Sequence, residues 1–225
     1  MNKDLWRFDY NQGVAYEEFS RCQDAFGIID GYLSSQYDFK GKTILEVGAG
    51  SGKFTSFLSR ECSKLYVVER STSLMQINRD KNLGANNVEF MLTDARDLII
   101  LPSSVDLIFA GWSLTSMRDS FDIVFRKLGD ILRADGMILA IENAGNDEFC
   151  ELLGINEFTE GMRSTYADLG FFSRTVVGTV IRLPRKGVFY NAFPGKWNVK
   201  LPSLDIQHNV SVLEMTASVL QHQKG

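Results

Sequence analysis

An α/β fold with a mostly parallel sheet is predicted by three observations. Short apolar runs alternate with segments of helical periodicity from Thr43 to Ile141, and that alternation builds parallel strands joined by right-handed crossovers. The runs at 43–47, 105–110 and 137–141 are almost continuously apolar, as strands covered on both faces are. The first run passes straight into Gly48-Ala49-Gly50-Ser51-Gly52, a tight loop that lets a ligand lie on bare backbone. The 225 residues suit one such domain with an elaboration, and the 44% of hydrophobic residues suffices for a large core.

Residues 1–40 carry Trp6, Phe8, Tyr10, Tyr16, Phe19 and Phe26. Within 15–34, Phe19, Cys22, Phe26, Ile29 and Leu33 recur at steps of three and four, which predicts one helix with an apolar face. It is a cap on the sheet or a lid over a pocket, with Tyr10 and Tyr16 nearest the ligand. A strand over 43–47 leads through the loop to a helix over 52–62, with Phe54, Phe57, Leu58 and Cys62 on one face. Strands follow at 65–69, 87–92 and 105–110, with Ser71 as N-cap of the helix after the first of these. Phe121, Val124, Phe125, Leu128, Ile131 and Leu132 mark another helix, and Asp135-Gly136 makes a turn into the strand 137–141.

The last third is less regular. Phe158, Met162, Tyr166 and Leu169 predict a helix stopped by Gly170 at C′. Strands are expected at 175–183 and 210–215. Between them, 184–203 holds three prolines, two glycines and the aromatics Tyr190, Phe193 and Trp197. It reads as a loop-rich insertion: a β-extension for dimerisation, a wall of the acceptor pocket, or packing. The expected organisation is a cap over 1–40, a ligand-binding core over 41–183, and a C-terminal part over 184–225 that completes one domain.

Charge and cysteine usage narrow the function. Lys and Arg total 24 against 28 Asp and Glu, a net charge of −4, which argues against a general nucleic-acid binder. Cys22, Cys62 and Cys150 are scattered without a C-x-x-C pair, so reduced thiols, no structural zinc or other metal, and a cytoplasmic setting are expected. No stretch reaches the roughly 18 apolar residues of a membrane span. Monomer and homodimer both stay open.

The glycine spacing separates cofactor classes. A dinucleotide fingerprint is G-x-G-x-x-G with pyrophosphate at the helix end; here the third glycine comes one residue early and Lys53 stands where that glycine would be. Glu46, two residues before the loop, would repel a pyrophosphate and suits an ammonium or sulfonium. Glu69 ends the second strand 17 residues after Gly52, where a carboxylate can accept both hydroxyls of a ribose. Asp94, after the third strand, can accept from an adenine amine or cap the short helix beginning at Ala95. All three acids fall at carboxyl ends of strands, the rim where open α/β sheets bind ligands.

With these residues the chain resembles the class I S-adenosylmethionine-dependent methyltransferases. The likeness rests on Glu46-Val47-Gly48-Ala49-Gly50-Ser51-Gly52, on Glu69 and Asp94, on Val105 to Trp112, and on Leu132-Arg133-Ala134-Asp135-Gly136-Met137. It covers about 40–183 and is specific to cofactor and fold, not to acceptor. It implies a three-layer α/β/α sandwich whose seven-stranded sheet runs 3-2-1-4-5-7-6 with the seventh strand antiparallel. It implies S-adenosyl-L-methionine as cofactor, held by Glu46, Gly48, Ala49, Gly50, Gly52, Glu69, Arg70, Asp94, Ala95, Ala110 and Gly111. Trp112 and Ser113 would then face the acceptor.

Methyl transfer from a sulfonium needs alignment more than heavy chemistry, and a base only where the acceptor must lose a proton. His208 is a candidate for that base, set against a structural histidine; His222 lies in a polar tail. Tyr16, Glu142 and Asn143 are candidates for the acceptor side. The D/N-P-P-Y/F motif of nucleobase amino methylation and a Pro-Cys pair are both absent. The reading is therefore methyl transfer to oxygen or nitrogen of a small molecule. A protein side-chain methyltransferase, a non-catalytic cofactor-binding protein and a nicotinamide enzyme are the alternatives, the last opposed by Lys53 and Glu46.

Overall fold

The structure, a computed structural model, describes residues 10–222. Trp6 and Phe8, with the side chains of Tyr10 and His222, lie outside the described residues. The helices are α1 (Tyr10–Ser20), α2 (Ile28–Gln36), α3 (Thr55–Glu61), α4 (Thr72–Lys81), α5 (Leu114–Met117), α6 (Phe121–Ile131), α7 (Glu148–Leu153), α8 (Asn156–Asp168), α9 (Lys186–Ala192) and α10 (Ala217–His222). The strands are β1 (Thr43–Val47), β2 (Lys64–Glu69), β3 (Val88–Leu92), β4 (Val105–Gly111), β5 (Leu132–Asn143), β6 (Phe172–Arg182) and β7 (Asp205–Thr216). They form one seven-stranded sheet in the order β3-β2-β1-β4-β5-β7-β6, with β7 antiparallel to both neighbours. Fold class and strand order are those expected.

Period-two alternation sends successive side chains to opposite faces of the sheet. Leu45, Val47, Ile108 and Ala110 meet α6 and α8 through Val124, Phe125, Leu128, Met162 and Tyr166. Ile44, Leu107 and Phe109 meet α2 and α3 through Ile29, Leu33, Phe57 and Leu58. Each such fully buried aliphatic side chain contributes about 1.5–3 kcal/mol relative to exposure. With both faces covered, the carboxyl ends of β1, β2 and β4 are what the parallel part of the sheet leaves for a ligand.

Four local expectations give way. The single helix over 15–34 is two helices, because Asp24 and Gly27 take positive φ of 54° and 66° between them. Asp24 then caps α2, accepting from the backbone N–H of Ile28 and of Ile29 at 2.9 Å each, and from Thr179 Oγ1 at 2.6 Å. Phe26 consequently leaves the apolar face; it is 58% exposed, with the Arg182 guanidinium 4.7 Å above its ring. The Asp135-Gly136 turn is instead a bulge inside β5: Val105 pairs with Leu132 and Leu107 with Met137, so six residues face three. The insertion 184–203 is no β-extension. Its α9 turns Val188 and Phe189 onto Phe19 of α1 and Phe149 of α7, a third small core. The helix predicted from residue 52 starts at Thr55, after the positive-φ run of the glycine loop. Gly170 closes α8 as expected: its N–H bonds Ala167 O and that of Phe171 bonds Tyr166 O, each at 2.9 Å.

Candidate active site

A cavity of about 450 Å³ opens at the carboxyl ends of β1, β2 and β4, within the roughly 300–1,000 Å³ of small-molecule pockets. Its floor is Gly48, Ala49, Gly50 and Ser51. One end is lined by Glu69, Arg70, Thr93, Asp94, Ala95 and Arg96, the other by Tyr16, Ser20, Gln23, Lys53, Phe54 and Trp112, with Gly111 and Ser113 between. The roof over the second end is α1 and the turn that follows it.

The three loop glycines do different work. At Gly50 (φ +56°) an added Cβ would meet nothing within 4 Å, so the backbone there lies bare to the cavity, a cradle that a side chain would fill. Gly52 (φ +85°) faces the protein instead, where an added Cβ would stand 2.3 Å from Asn78 Oδ1. Gly52 is therefore a packing glycine and lies outside the cavity wall. Gly48 lines the cavity and backs onto Ser113.

A buried polar relay holds this loop. Asn78 Nδ2 donates to Thr55 Oγ1 at 2.9 Å, and Thr55 Oγ1 donates to Glu46 Oε2 at 2.6 Å. Asn82 Nδ2 donates to Asn78 Oδ1 at 2.9 Å, and Ser56 Oγ to Asn82 Oδ1 at 3.0 Å. Asn78, Thr55 and Asn82 escaped the sequence reading. Their one signal is polarity on apolar faces: Asn78 shares a helix face with Leu74 and is fully buried.

Glu46 thus braces the loop from below and also reaches the cavity wall. Burial, with Glu69 nearby, pushes its carboxyl up to about 8. The folded chain holds this proton where the unfolded chain, near 4.5, has released it. Stability from Glu46 is full below about 4.5 and falls as pH rises towards 8. Glu142, raised to about 7 by burial, acts in the same direction. Stability, followed by the melting temperature from pH 5 to 9, is expected to fall by on the order of a few kcal/mol, and Glu46→Gln is expected to flatten that fall. A parent slope unchanged by the substitution would remove Glu46 as its source.

Glu69 lies at the cavity wall and accepts from Gly50 N at 2.9 Å with one oxygen and from Ser71 N at 2.7 Å with the other. Each oxygen keeps a further lone pair. Ser71 caps α4 as expected, accepting from Leu74 N at 3.4 Å. Asp94 realises the capping alternative. It accepts from Arg96 N at 3.0 Å and from the Arg96 guanidinium at 2.9 and 2.8 Å, and Arg96 holds its carboxyl below the usual range. Arg70 and Ala95 stand on the wall beside it.

Ala110 is turned away from the cavity. It is fully buried in the core beneath α6, and Gly111 takes the wall position. Glu142 also lies outside the wall: it accepts from Leu114 N at 2.8 Å and from Thr115 Oγ1 at 3.0 Å, fastening the start of α5. Asn143 Oδ1 faces His208 Nε2 at 3.0 Å. His208 is 0% exposed, stacked behind Trp112 at 5.9 Å between centroids and set against Phe149. Burial drives its pKa down to about 4, so it is a neutral packing histidine, not a base on the cavity.

Trp112 reaches the wall through a strained backbone, φ +51°, pinned by its N–H to Ile141 O at 2.7 Å; such a conformation costs a non-glycine residue on the order of 1–3 kcal/mol. Ser113 donates to Val47 O at 2.7 Å. Tyr16 faces this end from α1, its hydroxyl pushed up to about 12 by burial and by Glu69, Glu17 and Glu142. Among the described residues no three His, Cys, Asp or Glu side chains gather as a metal site.

Residues 45–140 match the family model of a methyltransferase domain. Among curated proteins, phosphoethanolamine N-methyltransferase 1 of Zea mays is 33% identical over 114 residues, 49% of this chain and 23% of that protein. The chain therefore spans under a quarter of that relative's length. An uncharacterized methyltransferase of Geobacillus thermodenitrificans is 28% identical over 147 residues, 64% of this chain and 66% of that one. Among solved structures, an S-adenosylmethionine-dependent methyltransferase from Aquifex aeolicus superposes with a TM-score of 0.56 over 92% of this chain and 99% of that one, at 16% identity. That likeness is one of fold.

Proposed function

The chain carries a class I S-adenosylmethionine-dependent methyltransferase domain, and from that premise we propose that it moves a methyl group to an oxygen or nitrogen of a small-molecule acceptor. The observation that carries the reading is the bare Gly50 backbone between Glu69 and the aromatic end of the cavity. It fits a ligand with a ribose at one end and an amino-acid tail lying across the loop. The match to phosphoethanolamine N-methyltransferases covers half of this chain and brings no acceptor with it.

When bound, S-adenosylmethionine supplies an electrophilic methyl on a sulfonium. The chain's own residues orient and enclose. Glu69 offers its remaining lone pairs to the ribose hydroxyls, and the floor at Gly48 and Gly50 supports the tail. Trp112 and Phe54 give the acceptor end an apolar wall that excludes water. Tyr16, neutral through the physiological range because its hydroxyl titrates near 12, orients the acceptor by hydrogen bonding and removes no proton. Alignment of this kind is worth up to about 7–11 kcal/mol. The roof formed by α1 favours an acceptor small enough to be enclosed. An amine that arrives neutral needs no base, which agrees with the absence of His208 from the wall.

The test is a thermal-shift comparison of S-adenosylhomocysteine, S-adenosylmethionine and NAD. Saturation at about 100 times the dissociation constant adds roughly 2.7 kcal/mol, or on the order of 5–10 °C for a chain of this size. The expected result is a shift with the two adenosyl ligands alone. A shift with NAD alone would overturn the cofactor, and a shift with none would overturn the function.

A further inference from the structure

Four cationic side chains line the cavity: Lys53, Arg70, Arg96 and Arg118. Three have a carboxylate within reach. Arg96 chelates Asp94 at 2.8 Å, Arg70 stands 3.9 Å from the same carboxylate, and Arg118 stands 3.6 Å from Asp119. Lys53 differs. Its ammonium donates to the backbone carbonyl of Gln23 at 2.7 Å, and among the described residues no carboxylate lies within ion-pair distance of it. The closest acids electrostatically are Asp24, Asp30 and Glu17. Asp24 is occupied by Ile28, Ile29 and Thr179, and Glu17 by Arg21 and Lys81 at 2.7 and 2.9 Å.

An ammonium carries three donors, and one is spent on Gln23. Burial lowers its pKa, so the charge is costly there without an anion. Lys53 directly follows the glycine loop, lines the cavity and reaches the roof turn at Gln23. Glu69 accepts from the loop at Gly50 N, and Phe54, next to Lys53, packs on Trp112, so both Glu69 and Lys53 flank the bare loop backbone.

We propose that Lys53 is an anion-binding residue at the roof end of the cavity, taking a carboxylate or phosphate of a bound ligand. Two ligands can bring that group: the cofactor, whose amino-acid tail ends in a carboxylate, or an acceptor with an anionic substituent. The inference rests on the adenosyl-cofactor reading above.

Calorimetry on the full chain separates the cases. S-adenosylhomocysteine and 5′-methylthioadenosine, which lacks the amino-acid tail, are titrated into the parent, Lys53→Met and Lys53→Arg. If the cofactor brings the anion, Lys53→Met loses roughly 10- to 100-fold in affinity for S-adenosylhomocysteine. It keeps its affinity for methylthioadenosine, and Lys53→Arg recovers most of the loss. If the acceptor brings it, both adenosyl ligands bind the variants as they bind the parent. The protein loaded with S-adenosylhomocysteine then binds benzoate or phenyl phosphate, neutral benzamide binds at least tenfold more weakly, and Lys53→Met erases that preference.

Equal losses for every ligand in Lys53→Met would make Lys53 a clasp for the roof turn and overturn the proposal. So would full affinity in Lys53→Met with no preference for the anionic probes. Failure of the parent to bind either adenosyl ligand would instead sink the cofactor reading on which the proposal stands.

Discussion

Gly50→Val is expected to abolish binding of S-adenosylhomocysteine while the chain stays folded. An added Cβ at Gly50 meets no protein atom within 4 Å, so the side chain projects into the space the ligand needs. The cost to the fold is confined to φ +56°, roughly 1–3 kcal/mol for a non-glycine residue, or on the order of 2–10 °C in melting temperature. Gly52→Ala, a smaller change two residues on, is expected to do more harm to the fold. Its Cβ would stand 2.3 Å from Asn78 Oδ1, which breaks the relay from Asn82 to Glu46 and leaves buried amide groups unpaired, a loss of roughly 3–5 kcal/mol. Melting curves and calorimetry on the two variants check the pair. The assignment of the loop fails if Gly50→Val keeps its ligand, and the division of labour fails if Gly52→Ala melts no lower than Gly50→Val.

Glu69→Ala is expected to weaken S-adenosylhomocysteine by at least about 100-fold. The substitution removes the acceptor that holds the backbone N–H of Gly50 and of Ser71, and with it the lone pairs proposed for the ribose. Hydrogen bonds to a charged group are worth about 1.5–3 kcal/mol each, so losing even one such contact in the complex costs tenfold or more. Free adenine, which has no ribose, separates the two roles. If Glu69 holds the ribose, adenine loses little in the variant. An equal loss for adenine and S-adenosylhomocysteine would leave Glu69 as a brace for the loop alone.

The strands were legible because burial on both faces writes them as apolar runs, and the loop because its positive-φ residues must be glycine. Glu46, Glu69 and Asp94 were legible as rim residues for the same reason: they end strands whose direction the alternation sets. What stayed hidden depends on side-chain direction at those ends. Ala110 and Gly111 are neighbours, yet one enters the core and the other the cavity wall. Glu142 and His208 sit at plausible positions in the chain, yet one fastens α5 and the other packs behind Trp112. The break between α1 and α2 was masked because the apolar spacing runs on through a turn that Asp24 closes with backbone hydrogen bonds. α9 was masked by the glycine and prolines around it, and the surface on which it folds includes Phe19 and Phe149, distant in sequence.

The turn after α1 does a second job at the sheet's outer margin. Ala25 N bonds Val180 O, and Arg182 N bonds Cys22 O, at 2.9 and 3.0 Å. The segment that roofs the cavity therefore also occupies half of the β6 edge. Among the described residues no backbone hydrogen bond covers the outer side of the other half, from Phe172 to Val176, and those two side chains are 47% and 53% exposed. An unpaired apolar strand edge is a template for pairing with another chain. Loosening the roof would lengthen that template from one half of β6 to all of it. Damage to the turn would then register as self-association of the protein as well as loss of ligand, and solubility would become a readout of cavity closure.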